Sequence, residues 1–423
     1  MQKSFKILAI LIVVFFAWWT LTTPNKAIKI GEAYSFKSAP RSVVSVTPDQ
    51  DFILEALLRD ISELPPYDEV VLVDDEKRAI VTAVDGWFWE VDLTTGTARQ
   101  FLDAPLMPAG ARLSPVNDRV IYFCSSRLYG VDYPVEDRVG LYQMDIDTKL
   151  VTPLVLDVPL VSGMGEAPKV YTAANAPRIN NSNLEQHEFR EFKFCNDLDV
   201  SADGRRIYFT EPFSYGEPSM GGGGTYREAI SLGRNGLVWK YDLDTNETSL
   251  VSQNFTFPDG VLVETNAEGG EDSILIAETV KFRIVRMFIS GDRAGSYETL
   301  WENLPAMPDG MDRDSQGRIW VGMLKQRSNA VTWIHNNPWI KPLLLRLPSS
   351  VMPISPKTSI LGLSADASEA IFYSEHDGSK ITDISVVIPG KNHLYLATVG
   401  DASRGLYKVP YPAGLMPGES LAQ

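Results

Sequence analysis

Cysteine is scarce in this 423-residue chain, which has only two. Cys124 and Cys195 stand in no CxxC motif and in no metal-ligand spacing, so neither a zinc site nor a disulfide-rich scaffold is indicated. The two residues are expected either to pair with each other or to remain buried thiols. The four histidines show no ligand spacing either, and surface or loop positions are expected for them.

Positive charge is also in short supply. The chain has 39 Lys and Arg against 54 Asp and Glu, which gives a formal net charge of -15. Nucleic-acid binding needs clustered basic residues that contact phosphates, so no nucleic-acid partner is predicted. A cation or a neutral small molecule suits this composition better.

Long apolar runs are confined to the N-terminus. Two lysines precede an apolar run over 7–21, which is close to the shortest length for a spanning helix. No small-x-small cleavage site follows the run, and Trp18 and Trp19 are typical of membrane-interface anchors. An uncleaved anchor is therefore favoured over a cleaved signal peptide. We predict a transmembrane helix over 1–23, with the rest of the chain on the extracytoplasmic side, periplasmic or luminal.

Short strands dominate the rest of the chain. A polar, proline-containing spacer covers 24–50, and apolar residues at helical spacing predict a short helix over 51–64. Beyond it, runs such as RIYFTE, LVWKYDL and HLYLATV are rich in aromatic and β-branched residues, and turn signals separate them. Because no run alternates with long helices, a βαβ architecture is not expected.

The strands recur in a fixed order at spacings of roughly 40 to 60 residues. Six units of four strands predict an all-β fold, a six-bladed β-propeller over 51–423, and a β-sandwich with extra strands is the alternative. The predicted units begin near the following residues: Glu69, Ala109, Asn196, Asp259, Asp309 and Ile360.

Oxygen-bearing side chains stand at the start of three units. Asn196 lies in FCNDLDV, Asp259 in FPDGVLV and Asp309 in MPDGMDR. The innermost strand of each propeller blade faces the central channel, so these side chains are expected to converge on one axis. Carboxylate and amide oxygens are the ligands of Ca²⁺, which accepts six to eight of them. The alternative is that Asp-Gly in these motifs only forms turns.

Glycine is concentrated in one stretch, SMGGGGTYRE over Ser219–Glu228. It lacks the Gly-Lys-Ser/Thr of a phosphate loop, so a mobile loop over the channel mouth is predicted in place of a nucleotide site. A Gly-x-Ser-x-Gly elbow is missing from the sequence, and a serine hydrolase of the α/β type is not supported.

The order of residues in several stretches resembles a known family. FCNDLDVSADGRRIYFTEP, GLVWKYDLDTNETSLV, FPDGVLV, SILIAETVKFRIVRMFISGDRAG and LPAMPDGMDRDSQGRIWVGM together resemble the strictosidine synthase-like proteins, in particular the adipocyte plasma membrane-associated protein branch. These proteins share a six-bladed propeller superfamily with the gluconolactonase/senescence marker proteins and the paraoxonase arylesterases. The resemblance runs from about Asp51 to the end and is most specific over 277–322.

The resemblance also implies a metal site. It places Asn196, Asp259 and Asp309 at family positions for calcium ligands, and Glu69 where many relatives have Gly-Pro-Glu. Relatives commonly show Asn-Gly where this chain has Asp259 and Gly260. Three carboxylates would then surround one cation, which could tighten cation binding or raise the pKa of one carboxylate.

The function implied by the resemblance is a membrane-anchored, calcium-dependent hydrolase whose substrate is a lactone or an aryl ester. In that chemistry Ca²⁺ polarises the ester carbonyl, and Asp309, Asn196 and Asp383 are the candidate catalytic residues. Asp383 stands, across a local gap, near the position of a glutamate that assists condensation in the synthases. The alternatives are a binding or scaffold propeller with a structural calcium, and a strictosidine synthase-like condensing enzyme.

Overall fold

The computed structural model of the protein describes residues 2–23, 28–46, 52–185, 187–266, 269–348, 354–400 and 402–418. Part of the predicted spacer, 24–27 and 47–50, lies outside the described residues. The helices are α1 (Gln2–Leu21), α2 (Arg41–Val46), α3 (Phe52–Ala56), α4 (Gly222–Ser231), α5 (Asn329–Asn336) and α6 (Lys341–Leu344), with 3₁₀ turns at Thr279–Lys281 and Pro338–Ile340. Among the described residues, none of the helices combines the length and apolar character needed to cross a membrane.

Antiparallel strands dominate the regular structure of the described residues and fall into four-stranded units. The first strand, β1 (Leu58–Asp60), precedes unit 1, which consists of β2 (Tyr67–Val73), β3 (Arg78–Ala83), β4 (Trp87–Asp92) and β5 (Thr97–Asp103). Unit 2 consists of β6 (Met107–Ser114), β7 (Asn117–Ser126), β8 (Gly140–Asp145) and β9 (Val151–Val155).

Four short strands, β10 (Asp157–Pro159), β11 (Lys169–Val170), β12 (Arg178–Asn180) and β13 (Phe189–Glu191), lead to unit 3. Unit 3 consists of β14 (Leu198–Val200), β15 (Arg206–Glu211), β16 (Gly236–Asp242) and β17 (Glu247–Phe255). Here β10 pairs with β13, and β11 and β12 both pair with β17.

The C-terminal part of the chain forms the remaining units. Unit 4 consists of β18 (Pro258–Thr265), β19 (Glu271–Glu278), β20 (Arg283–Phe288) and β21 (Tyr297–Trp301). Unit 5 consists of β22 (Ala306–Arg313), β23 (Ile319–Gln326), β24 (Thr358–Leu363) and β25 (Ala370–His376). Unit 6 consists of β26 (Ile384–Pro389), β27 (His393–Thr398) and β28 (Leu406–Pro410), and β1 completes it by pairing with β28.

The first strands of the units contact one another in a closed cycle. The strand β2 contacts β6, and the contacts continue through β14, β18, β22 and β26 back to β2. Each interface between neighbouring units is filled by a cluster of buried apolar side chains. The predicted all-β, propeller-like fold is therefore confirmed.

Two local predictions are wrong. The helix predicted over 51–64 is α3 only, because Leu58–Asp60 leaves the helix to pair with the edge of unit 6. Ile360 does not begin a unit: it lies in β24, the third strand of unit 5. A long insertion between β23 and β24 separates the two halves of that unit, so the apolar run after the insertion looks like a new start.

The segment predicted as a spacer packs in part against the propeller. Phe36 and Val43 are buried in the cluster between units 4 and 5, and the Phe36 ring lies 5.1 Å from that of Phe282.

The two cysteines form a disulfide; the sequence alone left open whether they pair or remain thiols. The disulfide joins Cys124 of β7 to Cys195 just before β14, and so links units 2 and 3.

Candidate active site

A cavity of about 740 Å³ lies where the first strands begin. Its polar floor contains five side chains from units 1, 3, 4 and 5: Asp68, Asn196, Asp197, Asp259 and Asp309. In antiparallel units the start of the first strand, the end of the second and the start of the third share one edge. The helix α4, between β15 and β16, and the helix α5, between β23 and β24, therefore lie on the same face of the propeller as this floor.

Asp259 is held by three neighbours. The side-chain amide of Asn196 donates a hydrogen bond to one carboxylate oxygen of Asp259, and the Thr279 hydroxyl donates to the other at 3.1 Å. The Thr210 hydroxyl donates to the Asp259 backbone carbonyl at 2.9 Å. The structure thus brings the predicted residues Asn196 and Asp259 into direct contact.

The Asp-Gly pairs are not turns, because both lie inside first strands. Asp259 and Gly260 belong to β18, and Asp309 belongs to β22. A Cβ atom at Gly260 would lie 2.1 Å from the backbone oxygen of Asp309. Glycine is required after Asp259 because neighbouring first strands approach each other closely near the channel axis.

Asp259 and Asp309 share a hydrogen bond that shifts both pKa values. Burial raises the pKa of Asp259 to about 6, and the hydrogen bond from Asp309 opposes this rise. Burial, together with the charge of Asp259 and the same hydrogen bond, raises the pKa of Asp309 well above its usual range. Burial and then the charges of Asp259 and Asp197 raise the pKa of Asp68 to about 7. A cation bound among these carboxylates would offset the repulsion between their negative charges.

One further observation tests whether the floor fits a cation. Asp197 accepts a hydrogen bond from the Val261 amide at 3.1 Å through one oxygen. Its other oxygen is buried and has no hydrogen-bond partner among the described residues. A buried carboxylate oxygen without a partner costs free energy. The carboxylate and amide donors and this unpaired oxygen fit a hard cation such as Ca²⁺.

Glu69 lies outside this group. Its carboxylate forms a buried ion pair with Arg112, and one of its oxygens accepts the Val70 amide at 3.1 Å. Burial raises the pKa of Glu69 to about 8, and Arg112 opposes the rise. The structure therefore brings Asp68, and not Glu69, to the cavity.

A matching hydrogen bond in units 1 and 3 explains the difference. The Glu69 amide donates to the Thr82 hydroxyl at 2.9 Å, and the Asp197 amide donates to the Thr210 hydroxyl at 3.2 Å. Glu69 is therefore the counterpart of Asp197. Asp68, which precedes Glu69, is the counterpart of Asn196. The acidic pair in PPYDEVV, read against FCNDLDV, is the sequence signal that could have indicated Asp68.

Asp383 lines the same cavity, just before β26. Its carboxylate forms an ion pair with the Lys325 ammonium group at 2.6 Å, and both side chains are about one-fifth exposed. The structure thus brings this third predicted catalytic residue to the cavity, paired with a cation of unit 5 that the sequence did not indicate.

Two helices form other walls of the cavity. The glycine-rich stretch predicted as a loop forms α4 over most of its length, and Tyr226 and Ile230 of this helix line the cavity. From α5 come Ile334 and His335. His335 is 1% exposed, in contrast to the surface or loop position expected for it. Burial, and then the charge of Lys341, lower its pKa to about 3, so the imidazole is neutral.

Comparison with protein-family models finds no match. The chain is 32% identical over 231 residues to the adipocyte plasma membrane-associated protein of Salmo salar, which covers 52% of this chain and 51% of the relative. The human protein of that name is 34% identical over 220 residues, half of each chain. Strictosidine synthase-like 10 of Arabidopsis thaliana is 25% identical over 231 residues, 53% of this chain and 59% of that protein. The chain spans about half the length of the first two relatives.

The resemblance to the strictosidine synthase-like proteins and their adipocyte plasma membrane-associated branch, which the sequence predicted, is confirmed. Among solved structures, the X-ray structure of a protein provisionally assigned as a gluconolactonase matches with a TM-score of 0.50. The match covers 84% of this chain and 91% of that one at 13% identity, and it shows the fold alone.

Proposed function

We propose that the protein is a membrane-attached, calcium-dependent hydrolase of lactones or aryl esters, built on a six-bladed β-propeller. The blades are units 1 to 6, and the closed cycle of contacts from β2 through β26 supports this count. The observation on which the activity rests is the meeting of acidic side chains from separate units at the floor of a largely apolar cavity.

The residues proposed to hold the cation are Asp68, Asn196, Asp259 and Asp309. These four residues come from four different units, so the site depends on closure of the propeller. When bound, Ca²⁺ would polarise the ester carbonyl and stabilise the negative charge that develops on its oxygen.

The apolar walls are proposed to bind the ring of the substrate. Phe194, Phe257, Met107, Met307 and Val280 line the cavity. Aromatic and thioether side chains suit an aryl group or a lactone ring with few hydroxyls, because burying hydroxyl groups against them would leave hydrogen bonds unmade. The cavity volume lies within the range of small-molecule sites.

Asp383 is proposed to accept the proton of the attacking water. The ion pair with the Lys325 ammonium group fixes the direction of the Asp383 carboxylate, and a general base must be positioned in this way. A strictosidine synthase-like condensing enzyme would need the Asp383 carboxylate to assist the reaction of an amine with an aldehyde. The ion pair between Asp383 and Lys325 does not support this alternative function.

Membrane attachment is proposed to occur through α1. Its apolar side chains are exposed along the helix, from Ile7 at 60% to Leu21 at 85%. Apolar surface of this extent needs a lipid or protein partner. The name of the animal relatives, plasma membrane-associated protein, agrees with such attachment.

The test is hydrolysis of phenyl acetate and of a series of lactones by the full-length chain in detergent, with calcium and after its removal by a chelator. We expect turnover that requires calcium and that Asp309→Ala abolishes. The exposed Asp118 gives a matched control, since Asp118→Ala removes a carboxylate far from the floor. Absence of turnover with every substrate would instead indicate a binding propeller.

A further inference from the structure

Two tryptophans on the insertion of unit 5 point away from the protein. Trp333 is 51% exposed and Trp339 is 69% exposed. Their rings pack edge to face with centroids 6.2 Å apart. We call Trp333 and Trp339 the tryptophan face. Exposed large apolar side chains that cluster in this way mark an interaction surface.

The insertion that carries the tryptophan face contacts the N-terminal helix. Arg346, which follows α6 on the same insertion, places its guanidinium carbon 3.6 Å from the ring centroid of Trp19 in α1. The Arg346 Nε also donates a hydrogen bond to the Trp19 carbonyl oxygen at 3.4 Å. The helix α1 therefore contacts the same insertion that carries the tryptophan face.

The same insertion forms part of the cavity. On α5, Val331, Ile334 and His335 line the cavity, whereas Trp333 is turned toward solvent. Ile354 both lines the cavity and is 62% exposed, so the cavity reaches the surface beside this insertion. Any surface that covers the tryptophan face would therefore lie next to the cavity.

The charge of the insertion differs from that of the whole chain. Residues 327–348 contain no Asp or Glu, whereas the chain has a net charge of -15. Of the basic residues in this range, Arg327 and Arg346 are half-buried, and Lys341 is buried and donates a hydrogen bond to the Ser231 carbonyl. Acidic side chains would be repelled by the anionic headgroups of a bilayer, and basic ones are attracted. Tryptophan is the side chain enriched at the boundary between headgroups and acyl chains.

We propose that the tryptophan face is a second lipid-contact surface, which docks on a bilayer with anionic headgroups and turns the cavity toward it. The inference rests on the membrane attachment and the hydrolase activity proposed above. It narrows the substrate class to lipophilic esters and lactones that partition into the membrane.

The experiment places a fluorescent label at single sites of the full-length chain. Both native cysteines form the disulfide, so Trp339→Cys provides one thiol for an environment-sensitive dye. Val116→Cys is the matched control: Val116 is 65% exposed and lies between β6 and β7, at the opposite edge of the sheets. Each labelled chain is reconstituted in vesicles of phosphatidylcholine and phosphatidylserine and separated by flotation.

We expect both labelled chains to float with the vesicles. The dye at position 339 should shift to the blue, lose most of its quenching by aqueous iodide and be quenched by a lipid-phase quencher, while the dye at 116 stays accessible to iodide. Flotation with an iodide-accessible dye at 339 would overturn this inference and leave the attachment through α1 standing. Failure of both chains to float would overturn the attachment and this inference with it. Calcium-dependent hydrolysis in detergent is measured separately and does not depend on either outcome.

Discussion

The side-chain amide of Asn196 donates a hydrogen bond to the carboxylate of Asp259, a residue 63 positions away. The contact joins the starts of two neighbouring units at the cavity floor. Sequence order fixes neither the distance nor the direction of this bond, since both depend on how units 3 and 4 pack. The arrangement makes Asp259 a positioned oxygen donor whose charge is felt by Asp309.

Replacing Asp259 by asparagine tests the extra carboxylate of this chain. The charge of Asp259 raises the pKa of Asp309, so Asp259→Asn should lower it. Asp309 would then stay ionised to lower pH, and calcium binding should persist to lower pH than in the parent. Calcium affinity measured as a function of pH checks this. Superimposable pH profiles for parent and variant would show that the extra carboxylate has no such role.

Asp68 and Glu69 are adjacent but should behave differently. Asp68→Asn removes a charge at the cavity floor and should weaken calcium binding with a small change in stability. Glu69→Gln removes the carboxylate nearest to the buried Arg112, which keeps a longer ion pair with Asp199 at 3.9 Å. It should lower the free energy of unfolding by at most about 3 to 5 kcal/mol, with calcium affinity largely retained. Calcium titration and chemical denaturation of both variants distinguish the two roles. The reverse pattern would restore Glu69 as the ligand of unit 1.

The calcium-free protein should lose stability as the pH rises. Asp68 has a pKa of about 7 and Asp259 of about 6 in the folded protein, above the value of roughly 4 in an unfolded chain. Between about pH 4 and these pKa values the two carboxyl groups hold more protons in the folded state than in the unfolded chain. Their contribution to the free energy of unfolding is therefore complete below about pH 4 and falls as the pH rises toward 7.

Saturating calcium should remove most of that loss at the upper end of the range. Melting temperatures across this range, with calcium and after chelation, provide the measurement. A melting temperature of the chelated protein that rises steadily between about pH 4 and pH 7 would contradict the raised pKa values.

The disulfide should contribute stability more than it shapes the site. Cys124 and Cys195 are separated by 71 positions. A disulfide that closes a loop restricts the conformations of the unfolded chain and typically raises the free energy of unfolding by about 2 to 4 kcal/mol. The Ser126 hydroxyl separately donates to the Cys195 carbonyl at 2.7 Å and accepts the Cys195 amide at 2.9 Å. The double variant Cys124→Ala, Cys195→Ala should therefore unfold at lower denaturant concentration and keep most of its calcium affinity. Loss of calcium binding in the folded double variant would show that the disulfide itself positions Asn196.

Local patterns were sufficient to predict the strands and three of the floor residues. Each unit repeats its own short strands and turns, and Asn196, Asp259 and Asp309 stand at the same point of their units. A repeated position in a repeated unit becomes a shared position in space once the units close around an axis.

Choosing between neighbours needed the structure. The register of β2 and β3 shifts between Tyr67 and Glu69, and such an irregularity changes which side chain faces the axis. His335 lies on an insertion whose packing on the cavity follows from long-range contacts. Lys325 lies near the end of the second strand of unit 5 and meets Asp383 because units 5 and 6 are neighbours.

The most direct test of the account is calcium titration of the full-length chain by isothermal calorimetry, with Asp309→Ala and Asp118→Ala measured in parallel. The proposed site requires that the parent and Asp118→Ala bind calcium with similar affinity and that Asp309→Ala, folded by circular dichroism, binds it far more weakly or shows no heat of binding. Calcium binding by Asp309→Ala equal to that of the parent would place the cation elsewhere and contradict the proposed site.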